Sequence, residues 1–278
     1  MKHLFRFLTK LVLILTIVCV LLFLWAYFVE PHQVKLEKTA VGVTILPEET
    51  RGVRICAFSD THLGFGFNAS NLADTGETIM AEKPDLIVFL GDLYDNYAAC
   101  PEDEREEEAV IDALSALSAP MGKYAVLGNH DYTRSVQKDI DRILTAGGFT
   151  VLYDETVDLP EYGVRLFGAK DCIYGRSDPD AFQKHAGYYN IVLSHEPDVF
   201  DEMHGVDLML AGHTHGGQIR VPFFGALVGS RYGENYVSGL YDAHGGQVYV
   251  TRGLGLTILK LRFLCPPEIS VLTVGKNG

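Results

Sequence analysis

Five short, mostly apolar runs in this chain each end in a cluster of metal-capable side chains, and that recurrence limits what the chain can fold into. Val53 to Phe58 leads into Asp60-Thr61-His62, Leu86 to Leu90 into Gly91-Asp92-Leu93-Tyr94-Asp95, and Tyr124 to Leu127 into Gly128-Asn129-His130-Asp131. Ile191 to Leu193 leads into Ser194-His195-Glu196, and Val206 to Leu210 into Ala211-Gly212-His213-Thr214-His215-Gly216-Gly217-Gln218. Short runs of this kind read as strands buried on both faces. Sheets fed by crossover helices hold their ligands just beyond the carboxyl ends of the strands, which is where all five clusters fall.

The segments between the clusters supply the rest of the fold. Asn68 to Lys83 and Ala109 to Leu117 have apolar residues at helical spacing. Thr133 to Ala146 predicts a further helix, stopped by Gly147-Gly148. The acidic stretch Pro101 to Glu108 suits the first turns of a helix and a solvated face. From residue 151 the pattern changes to β-type alternation: Val151-Leu152-Tyr153, Val157-Asp158-Leu159 and Val164 to Phe167, with closing strands at Gln247 to Thr251 and Ile269 to Val274. The expectation is an α/β layered sandwich, two central mixed sheets flanked by helices, within one domain spanning 51–278.

Before that domain, Leu11 to Val29 is a nearly unbroken apolar run, long enough as a helix for a hydrocarbon core of about 30 Å. Lys2, Arg6 and Lys10 precede it within the basic residues 1–10, so the positive-inside rule places the N-terminus in the cytoplasm and the later residues outside. The Trp25-Ala26-Tyr27-Phe28 ending lacks a small-residue cleavage pattern, which favours an uncleaved single-pass signal anchor over a signal peptide. Residues 30–50 alternate around Val34 to Glu37 and Val41 to Leu46, as an edge strand close to the membrane would.

The formal charge of −13 argues against a nucleic-acid partner, since phosphate backbones are gripped by Lys and Arg. Removing residues 1–30, with Lys2, Arg6, Lys10 and Glu30, makes the remainder more negative still. An anionic substrate must therefore be held locally, by metal. The five cysteines have no CxxC spacing and do not form a cysteine zinc site or a disulfide framework.

Asp60, His62, Asp92, Asn129, His195, His213 and His215 are seven oxygen and nitrogen donors, too many for one tetrahedral zinc. They suffice for two divalent ions if one carboxylate bridges, with Mn, Fe or Zn all suited to imidazole and carboxylate. Paired ions about 3.5–4 Å apart favour in-line displacement at phosphorus.

Asp-x-His, Gly-Asp-x-x-Asp, Gly-Asn-His-Asp, a separate His and Gly-His-x-His, in this order over residues 53–218, resemble the calcineurin-like metallophosphoesterase superfamily. The resemblance implies that Asp60, His62 and His215 bind one metal, that Asn129, His195 and His213 bind the other, and that Asp92 bridges. It also implies that His130 acts at the scissile phosphate or leaving group, oriented by Asp131. Asp95 is expected to support its loop.

Phe58 to Gly64, Gly212 to Ile219 followed by Pro222, Arg252-Gly253-Leu254-Gly255 and Pro266 to Ile269 are similar to the membrane-associated bacterial branch that includes the YkuE and YaeI phosphodiesterases. The expected activity is hydrolysis of phosphodiester or pyrophosphate bonds by metal-bound hydroxide, on a lipid-linked or cell-envelope substrate. A UDP-2,3-diacylglucosamine pyrophosphatase role, phosphomonoesterase action and a non-catalytic scaffold are the alternatives. Arg252 is a candidate substrate contact, and a turn-stabilising hydrogen bond is its alternative. Phe223, Phe224 and Leu227 can line a lipid-facing groove or pack in a core. His3, His32, His185, His204 and His244 stand outside the metal motifs, and the oligomeric state is unassigned.

Overall fold

Helix α1 (Lys2–Phe28) precedes everything else and, among its residues, buries only Ala26. It extends the expected apolar span back through the basic start of the chain, and its length, with an 18-residue window of mean hydropathy 2.9, suits a membrane span. Its last turn leads through a 3-10 turn, Glu30–His32, into β1 (Lys35–Val41). The computed structural model describes residues 1–42, 50 and 52–275. The expected edge strand is therefore seen over 35–41, and the remainder of its run, 43–49, lies outside the described residues.

The first sheet then builds by crossovers. β2 (Arg54–Phe58) passes through α2 (Ala69–Ala81) to β3 (Leu86–Phe89), and α3 (Glu107–Ser115) leads to β4 (Lys123–Ala125). Asn68 caps α2: its side chain accepts the Asn71 N–H, and Asn71 returns the bond. After β4 the helix expected over 133–146 is broken. A single turn, α4 (Asn129–Tyr132), and a 3-10 turn precede α5 (Gln137–Ala146), because Arg134 and Ser135 both take left-handed backbone angles. β5 (Thr150–Val151) closes that edge.

The second sheet begins with the hairpin β6 (Glu155–Leu159) and β7 (Val164–Gly168), joined antiparallel. β8 (Tyr189–Leu193) and β9 (Leu208–Ala211) follow in parallel, linked by a 3-10 segment, Pro197–Glu202, in place of a full helix. A small hairpin, β10 (Arg220–Val221) and β11 (Gly225–Ala226), stands apart. β12 (Gly239–Ala243) and β13 (Gly246–Val250) complete this sheet, and β14 (Glu268–Val274) returns to the first. The orders are β1-β14-β2-β3-β4-β5 and β12-β13-β9-β8-β7-β6. β1 lies parallel to β14, so the segment after α1 is part of the sheet.

Strand alternation divides the core into layers. Ile55 and Ala57 join Val88, Ile191, Leu193, Leu208 and Leu210 between the two sheets, whereas Cys56 and Phe58 pack with Phe89, Leu72, Val110 and Ile143 under α2, α3 and α5. The outer face of the second sheet, with Phe167, Val192 and Met209, is covered by Val199 and Phe200 of the 3-10 segment and by Met203 just after it. This is the layered sandwich the pattern predicts. It aligns the carboxyl ends of β2, β3 and β4 with those of β8 and β9.

Candidate metal centre

The ends of β2, β3 and β9 deliver their ligands through sharp turns. Asp60, His62, Asp92, His213 and His215 all have positive φ, between 43° and 70°. Non-glycine residues avoid this region at a cost of roughly 1–2 kcal/mol each, and such strain gathers where side chains must be aimed. The turns are also crowded. A Cβ on Gly128 would lie 2.2 Å from Asp92 Oδ1 and 2.6 Å from His195 Cε1, so only glycine lets the two sheets' loops meet here.

The side chains converge as two groups about one carboxylate. Asp92 Oδ2 is 3.5 Å from His62 Nε2 and 3.3 Å from His195 Nε2. On one side His215 Nε2 stands 3.1 Å from His62 Nε2 and 3.5 Å from Asp60 Oδ1. On the other, the His195 and His213 rings lie 5.0 Å apart. Asp60 also accepts the His213 backbone N–H, tying the β2 and β9 loops together.

Ring orientation is set from outside. His195 Nδ1 meets the Leu90 carbonyl at 2.7 Å, which turns Nε2 inward, and His213 Nε2 meets the Arg231 carbonyl at 2.8 Å, which leaves Nδ1 for the centre. His195 Nε2 and Asn129 Oδ1 are buried with no hydrogen-bond partner. Buried polar atoms are rarely left so, and a cation would satisfy both, so these residues fit divalent metal.

The electrostatics match. Burial opposes ionisation of Asp92, yet the imidazoles of His195, His130 and His62 hold its carboxyl well below the ordinary range. Burial disfavours a charged His195, but the Asp92 carboxylate outweighs it and holds the imidazole well above its usual value. Burial, His62 and the Arg262 guanidinium push His215 well below, leaving it neutral and ready to ligate.

Two expectations need correction. Asp131 does not orient His130: its carboxylate accepts the N–H groups of Asp92, Leu93 and Gly128 at 2.8, 3.0 and 2.9 Å. Burial and Asp92 raise its pKa to about 7. The orienting contact comes from Asp95, whose carbonyl is 2.6 Å from His130 Nδ1 and whose Oδ1 is 3.3 Å from His62 Nδ1. Arg252 does not face the centre, because Glu37 and Glu268 hold its guanidinium at 2.6 and 2.8 Å.

The sequence reading missed Arg262. It is fully buried and donates to the carbonyls of Gly255, Cys265, Arg252 and Gly253, with Nη2 3.5 Å from His215 Nδ1. Alternation through Leu261-Arg262-Phe263 signals an exposed strand residue, the opposite of what folds. Glu196 lies behind His195, where its carboxylate accepts the Cys172 N–H. All five cysteines are free.

The sequence profile of the calcineurin-like phosphoesterases matches residues 53–217, and the chain belongs to that family, a metal-dependent hydrolase of phosphoric esters. Over 90% of its length it is 38% identical to the metallophosphoesterase YkuE of Bacillus subtilis, 88% of which is covered. It is 33% identical to the phosphodiesterase YaeI of Escherichia coli, over 79% of this chain and 81% of that protein. The UDP-2,3-diacylglucosamine pyrophosphatase LpxG of Chlamydia muridarum is 27% identical over 91% of this chain and 93% of its own length.

Proposed function

We propose that this protein is a membrane-anchored phosphodiesterase or pyrophosphatase that works with two divalent ions on a lipid-linked or cell-envelope substrate. The observation that carries the two-ion reading is Asp92 Oδ2, set between His62 Nε2 and His195 Nε2 at 3.5 and 3.3 Å. Asp60, His62 and His215 would hold one ion, Asn129, His195 and His213 the other, and Asp92 both. Bound there, divalent cations supply Lewis-acid stabilisation of phosphoryl oxygens and lower the pKa of coordinated water.

The chain's own residues then divide the remaining work. His130 is partly exposed beside His62, with ring centroids 4.6 Å apart, and its Nδ1 is occupied by the Asp95 carbonyl. Its Nε2 is therefore the atom that contacts the phosphoryl group or gives a proton to the departing oxygen. In the metal-free chain burial opposes a charged His130, and Asp92 and the Asp95 carbonyl raise its pKa. Asp131 keeps the two loops in register through backbone amides.

The preference for diesters or pyrophosphates is supported by the names of YaeI and LpxG, and the membrane setting by α1. With Lys2, Arg6 and Lys10 at its start, the span reads as single-pass with the N-terminus cytoplasmic and the catalytic domain outside.

The test is hydrolysis by the full chain in detergent, stripped of metal and reloaded with Mn, Fe or Zn. Bis-p-nitrophenyl phosphate and p-nitrophenyl phosphate are compared beside His130→Ala. Metal-dependent turnover of the diester, lost in a folded and metal-replete His130→Ala protein, supports the reading. Faster turnover of the monoester replaces it with a phosphomonoesterase.

A further inference from the structure

Beyond α1, exposed apolar side chains are concentrated in two loops. Outside the first 29 residues, nine large hydrophobic side chains are exposed among the described residues, and seven belong to the stretches 223–228 and 258–264. Phe223, Phe224 and Ile258 are 104%, 83% and 76% exposed, with Leu227, Leu259 and Leu264 beside them in sequence. Scattered apolar residues are ordinary on a protein surface, but a contiguous set of this size marks contact with something apolar.

The two stretches form one unit. The Arg220 N–H donates to the Phe263 carbonyl, the Phe263 N–H to Gln218, and the Gln218 side chain binds Thr257 and Leu259. That unit is joined to the end of α1. The Arg262 N–H donates to the Ala26 carbonyl at 3.0 Å, and the Cys265 N–H to the Glu30 carboxylate, which also accepts the Trp25 indole N–H. The charge is equally local. Residues 218–232 and 254–265 contain Arg220, Arg231 and Lys260, beside the buried Arg262, and no acidic residue, in a chain of net charge −13.

We propose that these two stitched loops are a second membrane contact, with Phe223, Phe224, Leu227, Ile258, Leu259 and Leu264 seated in the headgroup region of an anionic bilayer. The occupant follows from continuity with the apolar helix α1 and from the basic charge around the apolar tips, the pattern of interfacial segments that enter about 5–10 Å. Gln218 lies three residues after His215, and Arg262 touches His215, so this contact holds the loop that carries His215 close to the lipid surface. A phosphoester carried on a lipid can then reach the centre without leaving the bilayer. The inference rests on the anchor reading above, which the test separates from it.

The full chain, loaded with Mn, is placed in vesicles of phosphatidylglycerol and phosphatidylethanolamine carrying nitroxide-labelled lipids. Trp25 is the single tryptophan, so the native protein reports the anchor alone. Trp25→Phe/Phe224→Trp and Trp25→Phe/Ile258→Trp report the two loops. The expected result is blue-shifted emission and about twofold quenching by shallow nitroxides for both loop variants. Water-like, unquenched emission from either loop variant, with Trp25 quenched in the native protein, overturns the second contact and leaves the anchor standing. Unquenched Trp25 with both loop positions quenched overturns the anchor and leaves the loop contact.

Discussion

The carboxylate of Asp131 accepts the backbone N–H of Asp92 at 2.8 Å, so the central carboxylate of the metal centre is held by a residue from the neighbouring strand's loop. Two further bonds to Leu93 and Gly128 make Asp131 the knot between the β3 and β4 ends. Asp131→Ala leaves three buried amides unsatisfied and should destabilise the fold by about 3 kcal/mol or more. Thermal melting checks this, and a variant melting with the parent would show the knot to be dispensable.

Asp92→Ala removes the oxygen shared by both groups of ligands. Bound metal should fall below two ions per chain and diester turnover by roughly three orders of magnitude, about 4 kcal/mol of barrier. Metal analysis of the dialysed protein beside initial rates decides it. Two ions retained at full affinity would contradict a shared carboxylate.

Acidification should release the ions in order. His195 is held well above its usual pKa, so protons compete for its Nε2 at comparatively high pH, whereas His215 is pushed well below and stays neutral further into acid. His213 on the same side is itself lowered by burial and by His195, so the proton enters at His195, and as pH falls the ion on the Asn129, His195 and His213 side should leave first. Equilibrium dialysis across pH, with X-ray absorption on the singly loaded form, tests the order, and loss from the His215 side first would refute it.

Gly128→Ala drives a methyl into Asp92 Oδ1 and the His195 ring. Overpacking of this kind costs about 1–3 kcal/mol, and it should fall mainly on metal affinity because the clash lies within the centre. Titration of the stripped variant with Mn, read against its melting temperature, separates the two effects. Parent-like affinity would mean that the loops yield without cost.

Arg262→Met removes a fully buried guanidinium that caps four carbonyls. Leaving those acceptors bare should destabilise by about 3–5 kcal/mol. The 262–265 segment also meets Ala26 and Glu30, so proteolysis between α1 and β1 should accelerate in this variant. Unchanged cleavage would show the helix junction to be independent of Arg262.

The metal centre was legible because its strands are short, apolar and each followed at once by ligands, so the chain itself announces where the sheet ends. The second sheet was visible in the alternation of Val157 and Val164 to Phe167. β12, over Gly239–Ala243, was not, since its residues are half-exposed and without a clear apolar period. What the chain could not announce were contacts across long separations. Asp131 looked like a partner for the adjacent His130 but binds amides up to 39 residues away, and Arg252 is claimed by Glu37, 215 residues earlier. Side-chain targets of that kind depend on which loops the fold brings together, and no local pattern encodes them.

Positive φ at five of the seven ligand positions also bears on protein engineering. Glycine would relax the backbone at His62, His213 and His215, yet it carries no donor, so the residues that ease the turn and those that can hold a cation exclude one another. A directed-evolution screen scored on heat resistance alone would therefore reward glycine at these three places, and its most robust winners would be inert.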